Sequence, residues 1–122
     1  MQISTIIPQL RTTDLAGSIR FYTTVLGFTL EFRHADFYAA VRHGPYLIHL
    51  KLVDAQDPVI AAVHQGEHLD LYFDTTDVAA AAATISGHSV PFEQPLHDTD
   101  WGTREFVIRD DQGRTLYFGQ VV

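Results

Sequence analysis

Apolar and polar positions alternate with a period of two in several short runs, and two stretches with helical spacing separate them. Residues 3–10 read as a strand interrupted by Pro8, which cannot donate a ladder hydrogen bond and so belongs at an edge, a bend or a crossover. Asp14 then reads as the N-cap of a helix over 15–25, with Leu15, Ile19, Tyr22 and Leu26 as its apolar stripe and Gly27 as its terminator. Strands are expected at 29–33, 37–42 and 46–53, the last two joined by the turn His43-Gly44-Pro45.

The layout returns after a linker at 54–66. A strand at 68–74 places Leu69, Leu71 and Phe73 on one face, and Asp77 caps an alanine-rich helix that runs to Ile85 and closes at Gly87. Strands at 89–93, 103–109 and 115–121 complete the second half, with the Asp110-Asp111-Gln112-Gly113 turn between the last two. Caps, terminators and strand counts recur together at a separation near half the chain. The expectation is an α+β fold of two βαβββ modules, approximately 1–55 and 67–122, within one domain.

Composition narrows the partners. At 122 residues and 46% hydrophobic, the chain is long enough for a single core and too apolar for disorder. No apolar run approaches the roughly 20 residues of a membrane span, and the first residues lack the pattern of a secretory signal, so a cytoplasmic protein is expected. The absence of cysteine rules out thiolate metal sites and cysteine nucleophiles. A net charge of −7 with scattered basic residues speaks against nucleic acid and is compatible with a cationic ligand. Neither a nucleophile elbow nor a glycine-rich phosphate loop is present.

The segments Ile7-Pro8-Gln9-Leu10, Asp14 through Tyr22, Leu26-Gly27-Phe28, Phe32, Asp36-Phe37 and Val41-Arg42 resemble the vicinal oxygen chelate superfamily. This superfamily includes glyoxalase I, fosfomycin resistance proteins, extradiol dioxygenases and bleomycin resistance proteins. The more specific run Trp101-Gly102-Thr103-Arg104-Glu105-Phe106, with Arg109-Asp110, is similar to the C-terminal signature of the bleomycin resistance group. The resemblance implies two four-stranded sheets curled into cups with helices outside, and a homodimer whose crevices lie between subunits. It also implies N-terminal strands exchanged around a proline, at Pro8 here.

Enzymes of the superfamily hold a divalent metal on His, Gln or Glu side chains facing the cup. Aligned on the helix starts, the four positions become Ile7, His49, Asp70 (or His68) and Tyr117. Ile7 cannot coordinate, and a phenol that titrates near 10 is a poor ligand. The expectation is therefore no catalytic residue and no cofactor; the fallback is a divalent metal on His49, His68 and Asp70. Without a metal the cup becomes a binding crevice. Trp101 supplies a ring to stack on a flat cargo, and the resemblance implies the same of Phe37 and Phe32. Asp36, Asp98 and Asp100 supply charge, and His49 and Tyr117 complete the candidate ligand-binding residues. Arg104 and Glu105 are expected to pair with neighbouring strands. The reading is a dimeric protein that sequesters a small aromatic or cationic ligand, bleomycin being the antibiotic the resemblance implies. The alternatives are a metal-dependent enzyme of the glyoxalase or dioxygenase kind and a binding module with no role in resistance.

Overall fold

A computed structural model describes residues 1–122, and the chain divides into two units, 1–57 and 58–122. The first unit runs β1 (Gln9–Thr12), α1 (Leu15–Arg20), β2 (Thr29–His34), β3 (Tyr38–His43) and β4 (Tyr46–Leu52). The second opens with α2 (Pro58–Gln65) and continues β5 (Leu71–Asp74), α3 (Val78–Ser86), β6 (Phe92–Asp98), β7 (Thr103–Arg109) and β8 (Thr115–Val121). Each unit thus holds the expected βαβββ series. The strand orders are β1-β4-β3-β2 and β5-β8-β7-β6, with the outer β1·β4 and β5·β8 pairs parallel and the rest antiparallel. No helix is long and apolar enough to cross a membrane.

The caps act where the sequence placed them. Asp14 accepts from the Gly17 N–H and Asp77 from the Ala80 N–H, both at 3.0 Å, satisfying amide groups left open in the first helical turn. Each helix then lays its apolar stripe on one face of its sheet. In the first unit Leu15, Ser18 and Tyr22 are buried with Leu10, Ala39, Val41, Ile48 and Leu50. In the second, Val78, Ala82 and Ile85 are buried with Phe106, Ile108, Leu116 and Phe118. Phe73, Phe118, Phe106 and Phe92 stack in one row, with centroids 4.8, 4.8 and 5.2 Å apart.

Several expectations change in detail. The strand expected at 89–93 is β6 at Phe92–Asp98, and the one expected at 68–74 is β5 at Leu71–Asp74, which leaves Leu69 outside it. The first strand begins only at Gln9, because β4, its one neighbour, pairs with it no earlier than His49. Ile3 and Ile6 are exposed. The first helix changes to a π-helical turn over Phe21–Val25 before Gly27 ends it with φ of 74°. Gly87 closes the second helix with φ of −65°, so it needs no left-handed freedom. The expected linker carries α2.

Candidate functional site

In each sheet the face turned away from its helix is the one left to meet a ligand. In the first unit this face is a ring cluster. Register sets His49, Ala40 and Phe32 side by side on β4, β3 and β2. Ala40 carries only a methyl group, so the flanking rings close over it, with Phe32 and His49 centroids 5.7 Å apart in edge geometry. Tyr38 joins them 5.3 Å from His49, and its hydroxyl meets His49 Nδ1 at 2.9 Å. Gln9, level with His49 on the parallel β1, donates to the same hydroxyl at 3.0 Å. Phe37 packs edge-on against His34 at the β2–β3 turn, 47% exposed, and Asp36 beside it pairs with Arg33 at 3.3 Å. Phe32 and His49 are therefore brought together, while Phe37 and Asp36 sit at the rim. Sequence reasoning passed over Tyr38 and Gln9, for which no motif spoke.

The second unit presents a cavity of about 620 Å³. Val107, Thr115 and Tyr117 project into it from the two central strands. His64 and Gln65 at the end of α2, Glu67, His68, and Glu93 and Gln94 on β6 also line it. Thr115 is buried and its Oγ1 has no hydrogen-bond partner; the same holds for Arg109 Nε on the strand position level with it. Arg109 Nη2 reaches Glu93 at 2.8 Å and lies beside the His64 ring. Tyr117 and His68 thus share a cavity. Asp70 is occupied otherwise, since its Oδ2 accepts from the Thr115 N–H at 2.8 Å.

Next to this cavity, on the same face, lies a polar network. Glu105 is 5% exposed, and its Oε2 accepts from the Tyr72 hydroxyl at 2.7 Å and from the Thr103 hydroxyl at 3.1 Å. Thr103 continues to Thr99 at 2.8 Å. Tyr72 lies on β5 and Glu105 on β7, so the phenol crosses β8 to reach the carboxylate. It crosses over Gly119, where a Cβ would collide with the Tyr72 hydroxyl. Desolvation first, and the hydrogen bond to Glu105 second, push the Tyr72 phenol up to about 12. Glu105 was expected to pair with a neighbouring strand; its cross-strand partner is instead Tyr72 on β5, one strand further away. A glycine inside a strand was the available signal that another side chain passes close by.

Arg104, on the opposite face, is held by Asp98 at 2.7 and 3.3 Å, and that hydrogen bonding keeps the Asp98 carboxyl below its usual range. Trp101 and Asp100 lie on the turn between β6 and β7. The indole is 75% exposed, free to meet a ligand or another chain.

The divalent metal of the superfamily's enzymes does not fit the side chains that either unit presents. No three His, Asp or Glu side chains gather to hold an ion. Asp70 Oδ2 already accepts from a backbone N–H.

A family model described as the Glyoxalase/Bleomycin resistance protein/Dioxygenase superfamily matches residues 3–118. No curated protein matches by sequence. Among solved structures the chain is similar to TioX from Micromonospora sp. ML1, at 20% identity over 98% of this chain and 99% of that one, with a TM-score of 0.77. It is similar to the bleomycin-binding protein from bleomycin-producing Streptomyces verticillus, solved with copper(II)-bleomycin, at 21% identity over 97% and 96% with a TM-score of 0.73. It is also similar to lactoylglutathione lyase from Agrobacterium tumefaciens, at 20% identity over 98% and 96% with a TM-score of 0.74. At these identities the likeness speaks for the fold alone.

Proposed function

From the premise that the chain belongs to the glyoxalase/bleomycin resistance protein/dioxygenase superfamily, we propose that it is a metal-free binding protein for a small aromatic, cationic compound. One observation carries the reading. The cavity of about 620 Å³ has Tyr117, a ring, where the family's enzymes carry a metal-binding glutamate, with Val107 beside it. That volume falls in the range of small-molecule sites, and the Tyr117 ring and Val107 offer a stacking surface among mostly polar walls. Charge supports a cation. Every arginine except Arg20 already has a carboxylate partner, which leaves Glu67 at the cavity without one. Within the second unit the exposed ring of Trp101, with Asp100 beside it in the chain, adds a stacking surface, while the first unit presents its own rings, Phe32, Phe37 and His49. The similar bleomycin-binding protein was solved with copper(II)-bleomycin, which makes a glycopeptide of that kind the first cargo to try. On this reading no bond is broken. Protection follows from mass action, so the protein must match its cargo in amount. The homodimer is part of the proposal, and sedimentation of the purified chain tests it.

The binding test is calorimetric titration with metal-free bleomycin, with and without EDTA, together with mass spectrometry of the recovered ligand. Saturable binding that EDTA leaves unchanged, an unaltered ligand, and a loss of about tenfold or more in Tyr117→Ala are expected. A stoichiometric divalent metal held by the purified chain in the absence of bleomycin, or a ligand recovered chemically changed, refutes the proposal and favours the enzyme reading. His68 at the cavity and the similar lactoylglutathione lyase are what recommend that second reading. Intact affinity for other aromatic cations with none for bleomycin would mark a binding module outside resistance.

A further inference from the structure

Glu105 stands out among the carboxylates of the second unit because it is buried and no basic side chain meets it. Its sequence neighbour Arg104 turns to the opposite face and is taken by Asp98. Arg109, on the same face, is taken by Glu93. His97, level with Glu105 on β6, directs Nδ1 to the Pro95 carbonyl at 2.8 Å. Only two neutral hydroxyls support the carboxylate, and both bind Oε2. Oε1 takes neither bond and is not sealed from solvent, since the buried unpartnered atoms are Arg109 Nε and Thr115 Oγ1.

We propose that Glu105, oriented by Tyr72 and Thr103, anchors a cationic group of the ligand, an ammonium or guanidinium, through Oε1. The inference rests on the reading of this face as a ligand-binding surface and adds the chemistry of one end of the cargo. A carboxylate buried without a counter-charge is costly, and a ligand cation that reaches it relieves that cost, so the site selects for charge. The hydroxyls hold the group in place without neutralising it. With its pKa pushed up to about 12, the Tyr72 phenol remains a donor throughout the physiological range. Gly119 permits the arrangement, since any larger residue on β8 would block the phenol's path. Val107, two residues along β7 on the same face, lines the cavity, so a ligand ring over Tyr117 and Val107 would place a short cationic arm beside Glu105.

The test compares benzamidine with its neutral analogue benzamide, and adds methylguanidinium as a cation without a ring. Each is titrated at constant ionic strength while backbone amide resonances are followed by NMR. The variant is Glu105→Gln, whose amide oxygen still accepts from Tyr72 and Thr103 but carries no charge. In the wild type, benzamidine is expected to bind at least about tenfold more tightly than benzamide, and methylguanidinium to shift the amides of Glu105, Phe106 and Gly119. Both effects should vanish in E105Q while benzamide binding persists. Should E105Q fail to fold, E105D retains the charge on a shorter arm and is expected to lose most of the benzamidine preference, with Y72F, which frees the carboxylate from one of its two orienting hydroxyls, losing part of it. A preference that survives in a folded E105Q, or in E105D, overturns the anchor. So do amides near Glu105 that methylguanidinium leaves unmoved. Benzamide separates the two claims: if neither ring compound binds while methylguanidinium still shifts the Glu105 amides, the aromatic-cargo reading fails and the anchor stands.

Discussion

Gly119→Ala probes the contact between Tyr72 and the central strand most directly. The backbone at Gly119 is ordinary strand, so an added methyl meets no conformational penalty of its own, and alanine in a strand is favoured over glycine by about 0.5–1 kcal/mol. What opposes the methyl is the Tyr72 ring, whose hydroxyl and nearest carbons occupy its place. The ring must swing off Glu105. That forfeits a hydrogen bond to a buried charged group, about 1.5–3 kcal/mol, and leaves only Thr103 on Oε2. Local overpacking adds about 1–3 kcal/mol. The substitution should therefore destabilise the protein by roughly 2–5 kcal/mol. Equilibrium denaturation in urea, followed by circular dichroism on the wild type, G119A, Y72A and the double variant, measures it as a cycle. In the Y72A background the methyl enters open space and should be neutral or slightly stabilising. A G119A cost under about 1 kcal/mol, or an equal cost in both backgrounds, refutes the account of why glycine stands there.

The Tyr72 phenol holds its proton more tightly in the folded chain, at about 12, than an unfolded phenol does near 10. Its contribution is therefore complete below about pH 10 and is lost as the pH rises toward about 12. The stability gap between wild type and Y72F should narrow across that window, and a gap constant from about pH 8 to 11 contradicts this. Asp77→Ala removes the acceptor for the Ala80 N–H and should lower the unfolding free energy by about 1 kcal/mol in the same denaturation assay. Phe106→Ala removes the fully buried ring between Phe92 and Phe118 and should cost about 3–5 kcal/mol; a cost near 1 would show that the stack closes over the gap.

The fold was largely legible because its signals are local. Asp14 and Asp77 sit at the same place in two repeats, and a side-chain oxygen within reach of an amide three residues on needs nothing from the rest of the chain. Turn glycines such as Gly113, with φ of 91°, follow the same logic. The site was less legible. Period-two alternation separates the faces of a strand but does not say which strand lies beside it, so residues 3–8 read as strand although only the Pro8 carbonyl, which accepts from the His49 N–H at 2.9 Å, meets a neighbouring strand. A period of two buries one face of a strand, whereas four consecutive residues of β7, Glu105 to Ile108, are all buried. As a central strand, β7 is covered by the helix on one side and by Tyr72 and its neighbours on the other.

By itself the sequence determined the two βαβββ modules, the caps that start their helices, and the rings available for binding, because each depends on neighbours a few residues away. Only the tertiary structure decided that Phe32 and His49 meet across Ala40, that Tyr72 crosses Gly119, and that Glu105 is a buried carboxylate with no cation of its own. Those relations rest on register and on the size of the residue in between. Both are properties of strands far apart in the chain, brought side by side only when the sheet forms.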